Sequence, residues 1–237
     1  VKPVATRNLH SQVVRELGQL IVSGKLAPGE GLPSEEVLAE QMQVSRTALR
    51  EAMKVLVAKG LIESRQRTGA RVRDVVHWNQ LDADVLAWRC AVMPTESFVD
   101  KLVEMREVIE PAAAAAAARR RTPEQLADLK QAYEAMAASA DLDAWAAADL
   151  AFHETLLRAT NNELIASLFS VIETALGTFF LLSARSAANF KAALPHHQKV
   201  YEAVRSRQPE VARQAMLSMV VLSRNNMRTR ARRTRAA

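Results

Sequence analysis

With 237 residues, 49% of them hydrophobic, the chain is long enough for two cores, yet no apolar run nears the ~20 residues of a membrane-spanning helix. Without a basic-then-apolar leader, and with a single cysteine, Cys90, that cannot close an internal disulfide, a cytoplasmic protein in a reducing compartment is expected. The formal charge of +6 is uneven: residues 1–76 carry 12 Lys/Arg against 8 Asp/Glu, residues 224–237 carry 6 Arg and no acid, and the middle is acidic, so a polyanion is drawn to the N-terminal part.

Val13, Val14, Leu17, Leu20 and Ile21 recur at helical spacing and predict a first helix over 10–23, stopped by Gly24. Pro28, Gly29 and Gly31 punctuate the turn that follows. Ser34 then caps a second helix with glutamates in its first turn, reaching about Met42. Gln43-Val44 makes a tight turn, and Ser45 caps a third helix whose apolar stripe is Ala48, Leu49, Ala52, Met53, Leu56 and Val57. Off that stripe stand Arg46, Thr47, Arg50 and Lys54. Hydroxyls and guanidinium groups on the first turns of one helix suit base edges in a DNA major groove.

Beyond Gly60 the period falls to two, because LIESRQ and ARVRD alternate around Arg67-Thr68-Gly69, which predicts a β-hairpin. Three helices and a hairpin make a winged helix-turn-helix over 1–76, with the hairpin tip along the DNA backbone or minor groove. Residues 77–94 read as a connector with a short helix, in which Cys90 is a small buried or boundary hydrophobe.

From 95 to 237 everything reads as helix and turn, an all-α antiparallel bundle. The segments are Thr95–Arg119, Thr122–Ala138, Leu142–Ala159, Glu163–Ser183, Ala188–Arg205 and Pro209 to about Arg228, bounded by caps at Asp141 and Asn162 and by Pro123, Pro195 and Pro209. The run Ala112–Ala118 is read as tight helix packing. The Arg-rich tail is either a solvated terminus or a weak phosphate contact.

Asp149 and His153 stand one turn apart on a helix, and His197 lies on a later helix that crosses opposite them if the bundle folds back. Oxygen and imidazole ligands suit a divalent metal such as zinc, and the same pair equally describes an ion pair or a capped histidine. Of His196 and His197, adjacent on a helix, only one can face the interior. Arg106 sits among Leu102, Val103 and Ile109, where an inward guanidinium needs an anion, either Glu110 one turn on or the carboxylate of a ligand. Arg185, at a helix end, is a further candidate of that kind. No phosphate-binding glycine loop, nucleophile elbow or zinc-hydrolase helix occurs, so a non-enzyme is expected.

Residues 24–62 carry G-x-L-x-P-G-x-x-L-P-S-E followed by V-S-R-T-x-x-R-E-A. Downstream stand R-x-x-x-E-P at Arg106–Pro111, D-x-x-x-H at Asp149–His153, Asn162, and H-x-x-V-x-x-A-V from His197. Over essentially its whole length the chain thereby resembles the GntR-type transcription regulators, in the branch whose C-terminal half is the helical FCD ligand-binding domain. That resemblance implies a homodimer bound to a palindromic double-stranded DNA operator. It implies a repressor released when a small carboxylic acid, a sugar acid such as galactonate, enters the helical domain. DNA contacts are then implied for Ser34, Ser45, Arg46, Thr47 and Arg50, with Arg67, Thr68 and Gly69 at the wing. A divalent metal is implied on Asp149, His153 and His197, and the effector carboxylate on Arg106, with Arg185 in support. Two positions depart from the pattern: Glu36 replaces a DNA-contacting arginine, and Met219 stands where the family has a third metal-binding histidine.

Overall fold

The computed structural model describes residues 4–65, 69–92, 96–183 and 191–235. Two compact units emerge, Val1–Pro94 and Thr95–Ala237. Among the described residues no helix is long and apolar enough to cross a membrane.

The first unit runs α1 (Val4–Val22), α2 (Glu35–Gln41), α3 (Arg46–Ala58), β1 (Ile62–Arg65), β2 (Gly69–Val72), a 3-10 turn (Val75–His77) and α4 (Ala83–Val92). Its core joins Val13, Leu17 and Ile21 of α1 to Leu38 of α2, Leu49, Ala52 and Leu56 of α3, and Ile62 and Val72 of the hairpin. These are the apolar positions that the helical and alternating periods select. Between α2 and α3 the chain turns within four residues because Gln43 adopts a left-handed φ of 54°. The strands pair antiparallel, Ile62 with Val72 and Arg65 with Gly69, and form the wing of a winged helix-turn-helix. The punctuated turn before α2 does more than reverse the chain. Leu32 N–H donates to Ala70 O at 2.8 Å and Val72 N–H to Glu30 O at 2.9 Å, so this loop satisfies the outer edge of β2.

The segment expected as a connector packs into the first unit. Asp82 Oδ1 accepts the backbone N–H groups of Asp84 and Val85 at 3.0 and 3.1 Å and starts α4. Lys59, the residue that ends α3, reaches Asp82 and Asp84 at 2.7 Å each. The Trp88 ring lies against Gly18 of α1, where an added Cβ would stand 2.2 Å from the indole. Cys90 is half-buried on α4.

The second unit is a helical bundle: α5 (Glu96–Arg120), α6 (Pro123–Ala138), α7 (Leu142–Arg158), α8 (Glu163–Ala166), α9 (Phe169–Ser183), α10 (Leu194–Arg205) and α11 (Pro209–Arg235). α5 is its axis, packing on α7, α9, α10 and α11. Ala113 to Ala118 are all buried there, and methyl side chains let the neighbouring helices approach α5 closely. Thr122 and Gln125 close a reciprocal capping box at the start of α6, and the Asp141 and Asn162 side chains cap α7 and α8.

Four boundaries differ from the sequence reading. α1 begins earlier, at Val4, and α11 runs on to Arg235. The single helix expected over 163–183 is two: Ser167 Oγ–H donates to Leu164 O at 2.8 Å, while Leu168 and Val171 N–H groups bond three residues back, so the ladder breaks between Ala166 and Phe169. Helix α10 starts at Leu194, where Pro195 occupies the first turn, and the expected start at Ala188 lies outside the described residues.

Gly60 closes α3 at a φ of 74°, and a Cβ there would meet the His77 carbonyl oxygen at 2.3 Å. Gly60→Ala is therefore expected to destabilise the protein by at least the ~1–2 kcal/mol of a left-handed alanine, with the backbone clash added. Denaturant unfolding followed by CD measures this, and an unchanged midpoint would refute the assigned turn.

Candidate functional site

On the first unit, burial of Leu49, Ala52 and Leu56 turns the opposite face of α3 outward, so Ser45, Arg46, Thr47, Arg50 and Lys54 are all exposed. Ser45 Oγ accepts the Ala48 N–H at 3.1 Å and exposed Ser34 Oγ accepts the Val37 N–H at 3.4 Å, leaving each hydroxyl hydrogen available to an outside acceptor. Thr47, Arg50 and Lys54, with Glu35 and Ser64, line an open groove of about 800 Å³. Gly69, exposed at a φ of 79°, begins the return strand of the wing; Arg67 and Thr68 lie outside the described residues.

The cations of this face have partners that the sequence reading missed. Arg46 pairs with Glu36, Arg50 Nε donates to Glu35 Oε2 at 2.7 Å, and Lys54 contacts Glu51 at 2.7 Å. Glu36, read as support for a helix end, thus also holds a guanidinium across the turn. The hydrogen bond to Glu35 raises the Arg50 pKa further above its ordinary value. Exposed pairs of this kind contribute little and are screened by salt, so a polyanion exchanges with them at small cost.

The second unit buries a polar cluster. Arg106 and Glu110 lie one turn apart on α5, Asp149 and His153 one turn apart on α7, and His197 on α10, each at most 4% exposed. Helical spacing puts each pair on one face, and packing of α5 and α10 beside the inner face of α7 brings the faces together. Arg106 Nε donates to Glu110 Oε1 at 2.5 Å, and the other oxygen, Oε2, lies 2.7 Å from His153 Nδ1. His197 Nδ1 is 3.0 Å from the Ala193 carbonyl, which can only accept, so Nδ1 carries a hydrogen there and Nε2 is the nitrogen turned to the cluster. That Nε2 points at Asp149 Oδ1 from 2.8 Å, and His153 Nε2 stands 3.8 Å from Asp149 Oδ2. Phe152 and Trp145 meet the His197 ring edge-on at centroid distances of 5.2 and 6.0 Å and fix its plane.

Burial opposes charge on Glu110, but Arg106 and His153 outweigh it and hold its pKa down to about 2. Burial likewise works against an ionised Asp149, yet the contact with His197 and the charges of His153, His197 and Arg106 bring its pKa below the ordinary value. Both carboxylates are therefore ionised at neutral pH. Asp149 Oδ2, His153 Nδ1 and His197 Nε2 nevertheless lack a hydrogen bond of regular geometry. A ring nitrogen 2.8 Å from an ionised carboxylate is favourable only with a proton or a cation between them.

The donor set fits a divalent ion. One ligand atom each from Asp149, His153 and His197 lies within 4.8 Å of the others, and donors about 2.1 Å from a shared metal stand roughly 3–4 Å apart. Carboxylate or carbonyl acceptors on the far ring nitrogens, here Glu110 and Ala193 O, are the usual support for metal-binding histidines. His196 is partly exposed, outside this cluster, and its pKa is lowered by burial, Lys199 and His197. Met219 is buried on α11 in the apolar core with Phe152 and Val200, so a thioether occupies that position. Arg185 lies outside the described residues.

Residues 9–72 match the bacterial regulatory proteins of the gntR family, and residues 101–221 match the FCD domain. The galactonate operon transcriptional repressor of Escherichia coli K12 is 33% identical over 225 residues, covering 94% of this chain and 98% of that protein. The transcriptional regulator LutR of Bacillus subtilis 168 is 32% identical, covering 84% and 92%. The gluconate operon transcriptional repressor of Bacillus licheniformis is 28% identical, covering 83% and 75%. The solved structure of Lar, described as controlling expression of the Listeria monocytogenes agr system, shares the fold with a TM-score of 0.63 at 23% identity, covering 98% of each chain. These relatives are regulators rather than enzymes. The chain accordingly belongs to the GntR family of DNA-binding transcription regulators, in the branch that carries an FCD domain.

Proposed function

We propose that the protein is a homodimeric repressor that leaves its operator when a small carboxylic acid, a sugar acid such as galactonate foremost, binds in the helical unit beside a divalent metal. In this reading residues 1–76 bind double-stranded DNA, residues 77–94 brace that part by packing on it, and residues 95–237 dimerise and bind the effector. Asp149, His153 and His197 hold the metal, Arg106 takes the carboxylate through the guanidinium edge that Glu110 leaves open, and Arg185 assists. Ser34, Ser45, Arg46, Thr47 and Arg50 contact the operator, with Arg67, Thr68 and Gly69 at the wing. The metal supplies a Lewis-acidic centre for the acid's hydroxyl and carboxylate oxygens, completing a shell that three protein donors leave open.

The observation that carries the proposal is the buried facing of Asp149 by ring nitrogens of His153 and His197, in the same helical unit as the inward Arg106 of α5. A cation relieves that facing, and the added positive charge then favours an anion beside Arg106. The names of two relatives, repressors of a galactonate and a gluconate operon, favour a sugar acid. Release follows if the acid favours a helical packing that changes the spacing of two recognition helices lying roughly one DNA turn apart.

Arg46→Ala is expected to weaken binding to a duplex that the wild-type protein selects from a random library by roughly tenfold or more, with acid binding intact. Gel-shift titration reads this, and wild-type affinity would remove Arg46 from the interface. Equilibrium dialysis against zinc is expected to load one ion per chain in the wild type and none in Asp149→Ala. Equal uptake by both would place the metal elsewhere. Arg106→Lys keeps a positive charge on Glu110 but loses the planar fork, so the galactonate concentration for half-release of DNA should rise about tenfold, the worth of one charge-assisted hydrogen bond. Unchanged release would exclude Arg106 as the carboxylate receiver.

A further inference from the structure

Glu110 is the one buried carboxylate of the cluster that the proposed function leaves without a ligand of its own. It is fully buried: Oε1 accepts from Arg106 Nε at 2.5 Å, and Oε2 lies 2.7 Å from His153 Nδ1 and 3.5 Å from Arg106 Nη2. One carboxylate thus touches both the guanidinium and an imidazole whose far nitrogen faces Asp149. From this geometry we infer that Glu110 is a positioning residue that couples the metal site to the anion site, so that divalent cation and effector acid strengthen each other's binding.

The inference rests on the metal-and-acid reading given above and adds a physical path between the two sites. With the Oε2 charge 2.7 Å from His153 Nδ1, a hydrogen on that nitrogen is favoured, which turns Nε2, 3.8 Å from Asp149 Oδ2, toward a cation as the free donor. By holding Arg106 through Nε, Oε1 fixes the plane of the guanidinium and leaves its outer edge for a carboxylate. A cation at His153 Nε2 makes the Nδ1 hydrogen a stronger donor and draws the Glu110 charge toward the ring. Its hold on Arg106 weakens, and Arg106 becomes a better receiver for an outside anion. Linkage makes the effect reciprocal: an acid on Arg106 returns Glu110 to His153 and tightens the metal. No such path runs through His197, whose Nδ1 is held by the uncharged Ala193 carbonyl.

The test uses the full chain, stripped with a chelator, in zinc competition titrations with and without galactonate, on wild type and Glu110→Gln. Glutamine keeps the volume but offers a single acceptor oxygen, so it can serve Arg106 or His153, not both. Zinc affinity is expected to fall at least about tenfold, as for other residues that orient a metal-binding histidine. The factor by which zinc improves galactonate affinity should fall severalfold, to the part that direct contact of the acid with the ion supplies, and the His153 side-chain nitrogen shifts should change from a single tautomer to a mixture. If Glu110→Gln does not fold by CD, the paired variant Arg106→Leu with Glu110→Leu removes both charges together, and the same loss of zinc affinity is expected of it. A folded variant with wild-type zinc affinity and an unchanged zinc–galactonate factor overturns the role of Glu110 while leaving the metal site standing. A wild-type protein that takes up no zinc overturns both.

Discussion

Five polar side chains inside the helical unit, Arg106, Glu110, Asp149, His153 and His197, must satisfy one another almost without water, and the unit is organised around that requirement. An unpaired buried charge costs several kcal/mol, so each group constrains where the others stand. Three helices contribute. α5 brings the cation and one anion, α7 brings the other anion and one imidazole, and α10 brings the second imidazole, so register between these helices is set by polar pairing as well as by apolar packing. The buried alanines of α5 let its neighbouring helices lie close to it.

The exposed face of α3 follows the opposite rule. Its cations lie in solvent, paired with Glu35, Glu36 and Glu51 through contacts that water and salt weaken. Weak exposed pairs hold the guanidinium groups of Arg46 and Arg50 near α2 and yield readily to a polyanion. The buried pairs of the helical unit, by contrast, lie away from water and salt, so breaking one of them leaves an uncompensated charge.

Much of this was legible along the chain. The 3.6-residue period of Leu49, Ala52 and Leu56 already places Arg46, Thr47 and Arg50 outward, and the same geometry makes Asp149 and His153 neighbours on α7. The 100° step between adjacent helical residues implies that His196 and His197 diverge, and His197 is the one turned inward. Arg106 had two open partners in the sequence, a ligand or Glu110. The structure shows the Glu110 contact, and the pairing of Glu110 with His153 was not visible, because it joins residues of different helices through a side-chain direction that no local pattern encodes. For the same reason the partners of Arg46 and Arg50 were missed: Glu36 and Glu35 reach them across the turn between two helices.

By itself the sequence determined the order and kind of the elements, the caps that start them, the faces they bury, and, through motif resemblance, the family. These are local properties, set by backbone propensity and by the period at which apolar side chains recur. Only the tertiary structure decided that the segment after the hairpin packs on α1 through Trp88 and on the end of α3 through Lys59, and that the helix after Asn162 breaks at Ser167. It alone decided that Glu110 stands between a guanidinium and an imidazole. Those outcomes depend on which helices lie side by side, and side-chain charge, whose reach is a few ångströms, has no partner until packing has chosen one.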